Sequence, residues 1–126
     1  MKRILFFVIV MVTFAFVVLP AHAKEVVKLG LITPLTGDVK TFGESSKNGF
    51  LIAIEDYSKT GKYQITPFIA DDRNDATEGT NAALKLITQD KVYGIIGPLT
   101  SKVAIPVSEI AEKYKVPMVT GSATNP

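Results

Sequence analysis

Two hydroxyl residues, Thr100 and Ser101, follow the turn residues Gly97-Pro98 and precede a stretch whose apolar residues recur at helical spacing. The start of a helix leaves backbone N–H groups without partners, and a hydroxyl oxygen can accept a hydrogen bond from them. The same N–H groups carry a partial positive charge and, with nearby hydroxyls, can bind an anion such as a carboxylate. The pattern therefore allows two interpretations, a helix cap or an anion-binding site.

Side chains for covalent or metal chemistry are nearly absent. The sequence has no cysteine and a single histidine, His22, so beyond it a Ser-His-Asp or Cys-His nucleophile lacks its parts and zinc would have carboxylate ligands only. Lys and Arg number 14 against 12 Asp and Glu, which gives no basic surface for nucleic acid. We expect a ligand-binding protein with no catalytic residue, no metal site and no cofactor, and one that does not bind nucleic acid.

The first 23 residues have the three-part layout of a secretory signal peptide. A basic pair at residues 2–3 precedes an apolar stretch, residues 4–19, and a small-residue site, residues 21–23. The apolar stretch is shorter than the roughly 20 residues of a membrane-spanning helix, which disfavours a membrane anchor. We expect cleavage after Ala23 and export of residues 24–126, which contain no cysteine for lipid attachment.

Beyond residue 23, apolar segments of strand length alternate with segments of helical periodicity. The predicted strands are residues 26–32, 63–70, 92–96 and 116–120, and the predicted helices are residues 43–58, 75–89 and 102–114. This alternation predicts right-handed crossovers and a three-layer α/β fold, with a parallel sheet and helices on both faces. Ligands of such folds bind where the strands end, which here means the loops 33–42, 71–75, 97–101 and 121–126.

Several single residues predict local structure. Pro67 places the second strand at an edge of the sheet, because proline cannot donate to a neighbouring strand. Asp75 and Glu78 resemble a capping box at the start of the second helix, and Pro106 is expected near the first turn of the third helix. The first helix has a predicted inward face, on which Gly49 suggests close approach to the sheet; this face comprises Phe42, Ser46, Gly49, Phe50, Ala53, Ile54 and Tyr57.

Four segments together resemble the type I periplasmic solute-binding proteins of branched-chain amino acid ABC transporters, the leucine-binding protein family. The segments are KLGLITPLTGDVKTFGESSKNGFLIAIED, FIADDRNDATEG with the alanine-rich helix after it, VYGIIGPLTSKVAIPVSEIAEKYKVPMVT, and the terminal GSATNP. The resemblance covers residues 26–126. It implies two similar α/β lobes that hold an amino acid between them in the periplasm and deliver it to a membrane permease. Residues 24–126 would form an incomplete first lobe, and we expect a monomer.

The resemblance also implies a set of ligand-binding residues, of which Thr100 and Ala123 only flank the ligand: Phe42, Thr100, Ser101, Ser122, Ala123 and Thr124. Ser101 would bind the ligand α-carboxylate through its hydroxyl and N–H, and Thr124 would add a second hydroxyl and N–H. The carbonyl of Ser122 would accept a hydrogen bond from the α-ammonium, and Phe42 would lie near the ligand side chain.

Each residue taken alone also has a purely structural interpretation. Ser101 can be an ordinary helix cap, Thr124 a turn residue and Phe42 a core residue, and the acids of residues 71–75 can be solvated loop residues and caps. With all of them at the ends of neighbouring strands, we expect a ligand site. We expect Thr100 and Ser101 to cap the helix when the site is empty and to contact a carboxylate when it is filled.

Function remains open among related alternatives. The leading hypothesis is the substrate-binding component of an amino-acid ABC transporter; the alternatives are a sensor or receptor domain of the same fold, or a truncated product that binds nothing by itself. An enzyme of Rossmann type is disfavoured, because no strand is followed by G-x-G-x-x-G or G-x-x-x-x-G-K-[ST]. A single lobe supplies only half of the contacts to a ligand, so we expect this chain alone to bind amino acids weakly or undetectably.

Overall fold

The computed structural model describes residues 24–125. Within them, strands and helices alternate as the sequence predicts. The strands are β1 (Val26–Thr33), β2 (Gln64–Asp71), β3 (Gly94–Ile96) and β4 (Met118–Val119), and the helices are α1 (Lys40–Thr60), α2 (Ala76–Lys85, continued by a π-helical turn, Leu86–Asp90) and α3 (Ser101–Tyr114). The predicted signal peptide, residues 1–23, lies outside the described residues.

The sheet is parallel throughout, with the strand order β2-β1-β3-β4. The connection from β1 to β2 runs toward one edge of the sheet, whereas the connections from β2 to β3 and from β3 to β4 run toward the other. Right-handed crossovers therefore put α1 on one face and put α2 and α3 together on the opposite face. The predicted three-layer fold is confirmed, and β2, which contains Pro67, lies at an edge as expected.

The face that α2 and α3 cover, which we call the closed face, holds the hydrophobic core. Ile32 and Ile95 of the sheet pack with Leu86, Val103 and Val107 of the helices, and none of the five is more than 1% exposed. Burying an aliphatic side chain of this size contributes about 1.5–3 kcal/mol. The closed face therefore supplies most of the apolar stabilisation that fixes the loops at the strand ends.

The opposite face, which we call the open face, is covered by α1 alone among the described elements. Of the inward face predicted for α1, only Ser46, Phe50 and Ile54 are half-buried, and the other members are exposed. An apolar cavity of about 450 Å³ lies between α1 and the sheet, lined by Leu29, Ser46, Phe50, Ala53, Ile54, Tyr57, Ile65 and Ile96. The predicted face therefore turns toward the sheet as expected, but it is only partly buried, because no second element packs beside the helix in the described part of the chain.

The close approach predicted at Gly49 is wrong. Nothing lies within 4 Å of a Cβ atom built at Gly49. The close contact occurs instead at Gly43, the buried residue of α1, where a Cβ atom would overlap the carbonyl oxygen of Pro34. Because α1 begins at Lys40, earlier than predicted, its first turn lies against the β1–α1 loop.

The starts of α2 and α3 differ from prediction in detail. The Asp75 carboxylate accepts hydrogen bonds from the N–H groups of Thr77 (2.9 Å) and Glu78 (3.1 Å) and so caps α2. The second hydrogen bond of a capping box would run from the N–H of Asp75 to the Glu78 side chain. The N–H of Asp75 donates instead to the carbonyl of Asp72 (2.8 Å). Pro106 lies inside α3, beyond the first turn, which corrects the position expected from the sequence.

Within residues 24–125, none of the helices is both long enough and apolar enough to cross a membrane. No group of three or more His, Cys, Asp or Glu side chains among them lies close enough together to hold a metal ion.

Candidate functional site

A cavity of about 650 Å³ lies at the edge of the sheet where the strands end. It is bounded by the β1–α1 loop and the first turns of α1, by the β3–α3 loop, and by the segment after β4. Its lining residues are Pro34, Val39, Phe42, Ser46, Leu99, Thr100, Ser101, Gly121, Ser122 and Thr124. Five of the six residues implied by the family resemblance therefore line one cavity.

Hydrogen bonds join the β3–α3 loop directly to the segment after β4. The N–H of Asn125 donates to the hydroxyl oxygen of Ser101 (3.2 Å), and the hydroxyl of Ser122 donates to the carbonyl of Leu99 (2.7 Å). The turns around residues 101 and 124 consequently lie side by side at one edge of the sheet. A site formed by both turns requires them to lie this close together. They do so because neighbouring parallel strands end at the same edge of the sheet.

The start of α3 is not capped by either hydroxyl, which corrects the capping expectation. Thr100 occupies the N-cap position, but its hydroxyl donates to Oδ1 of Asn74 (2.7 Å). Ser101 is the first helical residue, and its oxygen is occupied by the N–H of Asn125. Among the residues that the structure describes, the N–H groups of Ser101 and Lys102 have no hydrogen-bond acceptor. Two backbone donors are therefore unpaired beside the cavity.

Gly97 sets the path of the chain into this helix start. Its φ of 89° lies in the region that favours glycine, and a Cβ atom there would overlap the carbonyl oxygen of Ile32. The N–H of Gly97 donates to the carbonyl of Val119 (2.8 Å). Close contact with β1 on one side and β4 on the other brings Thr100 and Ser101 to the cavity.

The apolar part of the lining comes from the start of α1, the β1–α1 loop and the β3–α3 loop. Phe42 is 71% exposed, so the alternative of Phe42 as a core residue is wrong. Val39, Pro34 and Leu99 also line the cavity, and Ser46 follows Phe42 by one helical turn. The lining thus combines an apolar wall with hydroxyl and N–H groups, and none of its residues carries a charge.

Ala123 is the implied site residue that the cavity does not include. It lines a smaller neighbouring cavity of about 260 Å³, between α3 and the chain after β4. Its N–H donates to the hydroxyl oxygen of Thr120 (3.0 Å). Ala123 thus lies between two lining residues, Ser122 and Thr124, and its flanking role stays a prediction.

Sequence reasoning missed five lining residues, Pro34, Val39, Ser46, Leu99 and Gly121. All of them belong to the β1–α1, β3–α3 and terminal segments or to the first turns of α1. Ser46 could have been found from the helical step of four after Phe42. The others needed the loop conformations, which periodicity does not determine.

The acids of the β2–α2 loop lie outside the lining. Burial raises the pKa of Asp71, but hydrogen bonds from the Thr36 hydroxyl (2.6 Å) and from the N–H groups of Arg73 (2.9 Å) and Leu35 (2.8 Å) outweigh it and hold the pKa below its ordinary value. Burial raises the pKa of Asp72, which is 1% exposed. These acids organise loops, in agreement with the structural interpretation.

Comparison with known proteins identifies the family. A model of the periplasmic binding protein family matches residues 26–126. The chain belongs to this family. It is 39% identical over 109 residues to the Leu/Ile/Val-binding protein BraC3 of Rhizobium johnstonii, an alignment that covers 84% of the chain and 29% of that protein.

Solved structures of periplasmic binding proteins share the fold. The leucine binding protein LivK of Thermotoga maritima superposes with a TM-score of 0.74 at 37% identity, over 79% of this chain and 28% of that one. The branched-chain amino acid transporter substrate binding protein LivJ of Streptococcus pneumoniae, solved in complex with isoleucine, superposes with a TM-score of 0.77 at 26% identity, over 80% and 30%. The chain thus spans less than a third of the length of these relatives.

Proposed function

We propose that the cavity at the strand ends is one wall of an amino-acid site in the substrate-binding component of an ABC transporter. The observation that carries the proposal is the group of free donors beside an apolar wall. The unpaired N–H groups of Ser101 and Lys102 adjoin the Ser101 hydroxyl, and Phe42 lies across the same cavity. Such donors suit a carboxylate, and the apolar wall suits an uncharged ligand side chain.

The Ser101 hydroxyl can donate to a ligand while keeping its present bond. Its oxygen accepts from the N–H of Asn125, which leaves its own hydrogen free for a carboxylate oxygen. The Thr124 hydroxyl, which makes no hydrogen bond within residues 24–125, supplies a second donor. The family resemblance assigns the carbonyl of Ser122 to the ammonium, and the Ser122 hydroxyl donates to the carbonyl of Leu99.

The apolar wall favours a ligand side chain without charge. No charged residue lines the cavity to pair with an acidic or basic side chain. Two relatives agree with this preference, since BraC3 is a Leu/Ile/Val-binding protein and LivJ was solved in complex with isoleucine. We therefore assign branched-chain amino acids as the ligand class, with a binding role and no catalysis.

The wider setting follows from the family. As a periplasmic binding protein, the chain would act in the periplasm after export, bind its ligand as a monomer and present it to a membrane permease. The chain spans less than a third of the length of these relatives, and residues 24–125 form only one wall of the cavity. The expected affinity for L-leucine is accordingly weak, in the millimolar range or below detection by calorimetry.

An NMR titration tests the proposal. With ¹⁵N-labelled protein, millimolar L-leucine should shift the amide signals of Ser101, Lys102 and Thr124 along one saturation curve. Matched controls are 4-methylpentanoate, which lacks the ammonium, and 3-methylbutylamine, which lacks the carboxylate; each should give smaller shifts than leucine. Equal shifts with the amine would argue against carboxylate recognition, and micromolar leucine affinity would contradict the expectation of a weak single wall.

A further inference from the structure

We propose that Asn74, outside the cavity, is a positioning residue that keeps the start of α3 open for a ligand. Its amide oxygen holds the Thr100 hydroxyl away from the helix, so the N–H of Lys102 stays unpaired. The inference rests on the proposed function, because an open N–H matters only if an anion binds there. It adds a residue from the β2–α2 loop, which contributes nothing to the cavity lining.

The Thr100 hydroxyl has two candidate partners, an N–H group at the start of α3 and the amide oxygen of Asn74. A threonine at the N-cap normally accepts a hydrogen bond from the N–H of the second or third helical residue. In α3 these are Lys102 and Val103, and Val103 already donates to the carbonyl of Thr100 (3.1 Å). The Thr100 hydroxyl lies instead 2.7 Å from Oδ1 of Asn74. A hydroxyl oxygen can accept a hydrogen bond while it donates one, but in the position that this bond fixes, the Thr100 oxygen makes no capping bond to α3.

Asn74 is held in place by its backbone conformation and backbone hydrogen bonds. Its φ of 55° lies in the left-handed region, which asparagine tolerates better than most residues. The Asp72 carboxylate, on a side chain that is 1% exposed, accepts from the N–H of Asn74 (2.8 Å). The Asn74 carbonyl also accepts from the Lys102 ammonium (3.0 Å). The backbone of Asn74 is thus held independently of its side chain.

This independence makes the side chain separately testable. Asn74→Gly removes the amide oxygen and tolerates the positive φ, while Asn74→Asp keeps an acceptor at the same position. The control Asn81→Ala removes an exposed asparagine side chain from α2. None of these residues lines the cavity, so none removes a proposed ligand contact.

Hydrogen exchange of the Lys102 amide, measured without ligand, decides the proposal. In Asn74→Gly the freed Thr100 hydroxyl should cap the helix and slow exchange of this amide about 2- to 10-fold, the range of one net hydrogen bond. Asn74→Asp and Asn81→Ala should exchange like the wild type. Adding Thr100→Val to Asn74→Gly should abolish the slowing, which ties it to the hydroxyl. Unchanged or faster exchange in Asn74→Gly would overturn the proposal, because loosening of the loop predicts only faster exchange.

Leucine titration of the same variants separates this inference from the proposed function. The amide shifts at Ser101 should be weaker in Asn74→Gly and near the wild-type size in Asn74→Asp. Slowed exchange with no leucine response in any variant, the wild type included, would reject the proposed function and leave the competition for the hydroxyl established. Normal leucine shifts in Asn74→Gly despite slowed exchange would overturn the positioning role.

Discussion

The two faces of the sheet carry similar aliphatic residues, yet only one face is sealed. On the closed face, α2 and α3 pack against each other and bury Ile32 and Ile95. On the open face, α1 is the one described element, and it lies over a cavity lined by Leu29, Ile65 and Ile96. Ser46 lines both this cavity and the proposed ligand site. The proposed site therefore joins one wall built on the well-packed closed face to a second wall carried by α1, which lies over a cavity.

Truncation of a large core side chain should separate the faces most strongly. Leu86→Ala on the closed face should lower the free energy of unfolding by about 2–5 kcal/mol, because a 1%-exposed leucine leaves a cavity that its neighbours cannot fill. Ile54→Ala on the open face should lower it less, since Ile54 is only half-buried. Urea unfolding followed by circular dichroism measures both. Equal losses would mean that α1 packs as tightly as α2.

Two helical glycines should respond to alanine with opposite signs. A Cβ atom at Gly79 of α2 would overlap Cγ1 of Val103, whereas a Cβ atom at Gly49 of α1 meets nothing within 4 Å. Gly79→Ala should therefore destabilise the protein by about 1–3 kcal/mol. Gly49→Ala should stabilise it by up to about 1 kcal/mol through helix propensity. Thermal unfolding of the pair gives both signs, and a destabilising Gly49→Ala would show a packed open face.

The pKa values of the neighbouring acids Asp71 and Asp72 are shifted in opposite directions. The pKa of Asp71 is lowered, so its stabilisation is present above pH 3.8, its ordinary value, and is lost as the pH falls through the folded-state pKa. The pKa of Asp72 is raised by burial, so its ionisation opposes folding above its folded-state pKa and this penalty disappears below pH 3.8. The two residues therefore act in opposite directions on acid unfolding.

Isosteric variants measure these two contributions. With Asp71→Asn, the free energy of unfolding should fall less between pH 5 and pH 2.5 than it does in the wild type. With Asp72→Asn, it should fall more over this range and should be higher than the wild-type value at pH 7. Urea midpoints collected across this pH range provide the readout. Identical pH profiles for the two variants would contradict opposite pKa shifts of the hydrogen-bonded Asp71 and the buried Asp72.

Much of the fold could be predicted because local periodicity and strand topology determine it. Alternating apolar and helical segments predict a parallel sheet, and a parallel sheet gathers the loops at one edge. Burial was harder to predict, because the same periodicity is present in α1 and α2, and of these two only α2 has a neighbouring helix among the elements of residues 24–125. Amphipathic spacing shows which side of a helix turns inward, and tertiary packing decides whether that side is covered.

The site was predictable at the level of loops and less so at the level of atoms. The hydroxyls of Thr100 and Ser101 were expected to cap α3, but each bonds a partner distant in sequence, Asn74 for one and Asn125 for the other. No local pattern encodes such pairings. Ala123 likewise falls in the correct loop and faces the neighbouring cavity. Loop identity follows from topology, whereas side-chain partners follow from the folded chain.

Carboxylate binding at the start of α3 is tested most directly by titrating the variants Ser101→Ala and Ser108→Ala with L-leucine. Ser108 bears a hydroxyl on the same helix that donates to the carbonyl of Ile105 (2.7 Å) and does not line the proposed site. Wild type and Ser108→Ala should give equal saturable shifts at Lys102 and Thr124. Ser101→Ala should lose them, because a hydrogen bond to a charged group contributes about 1.5–3 kcal/mol. Equal shifts in all three proteins would contradict carboxylate binding at the start of α3.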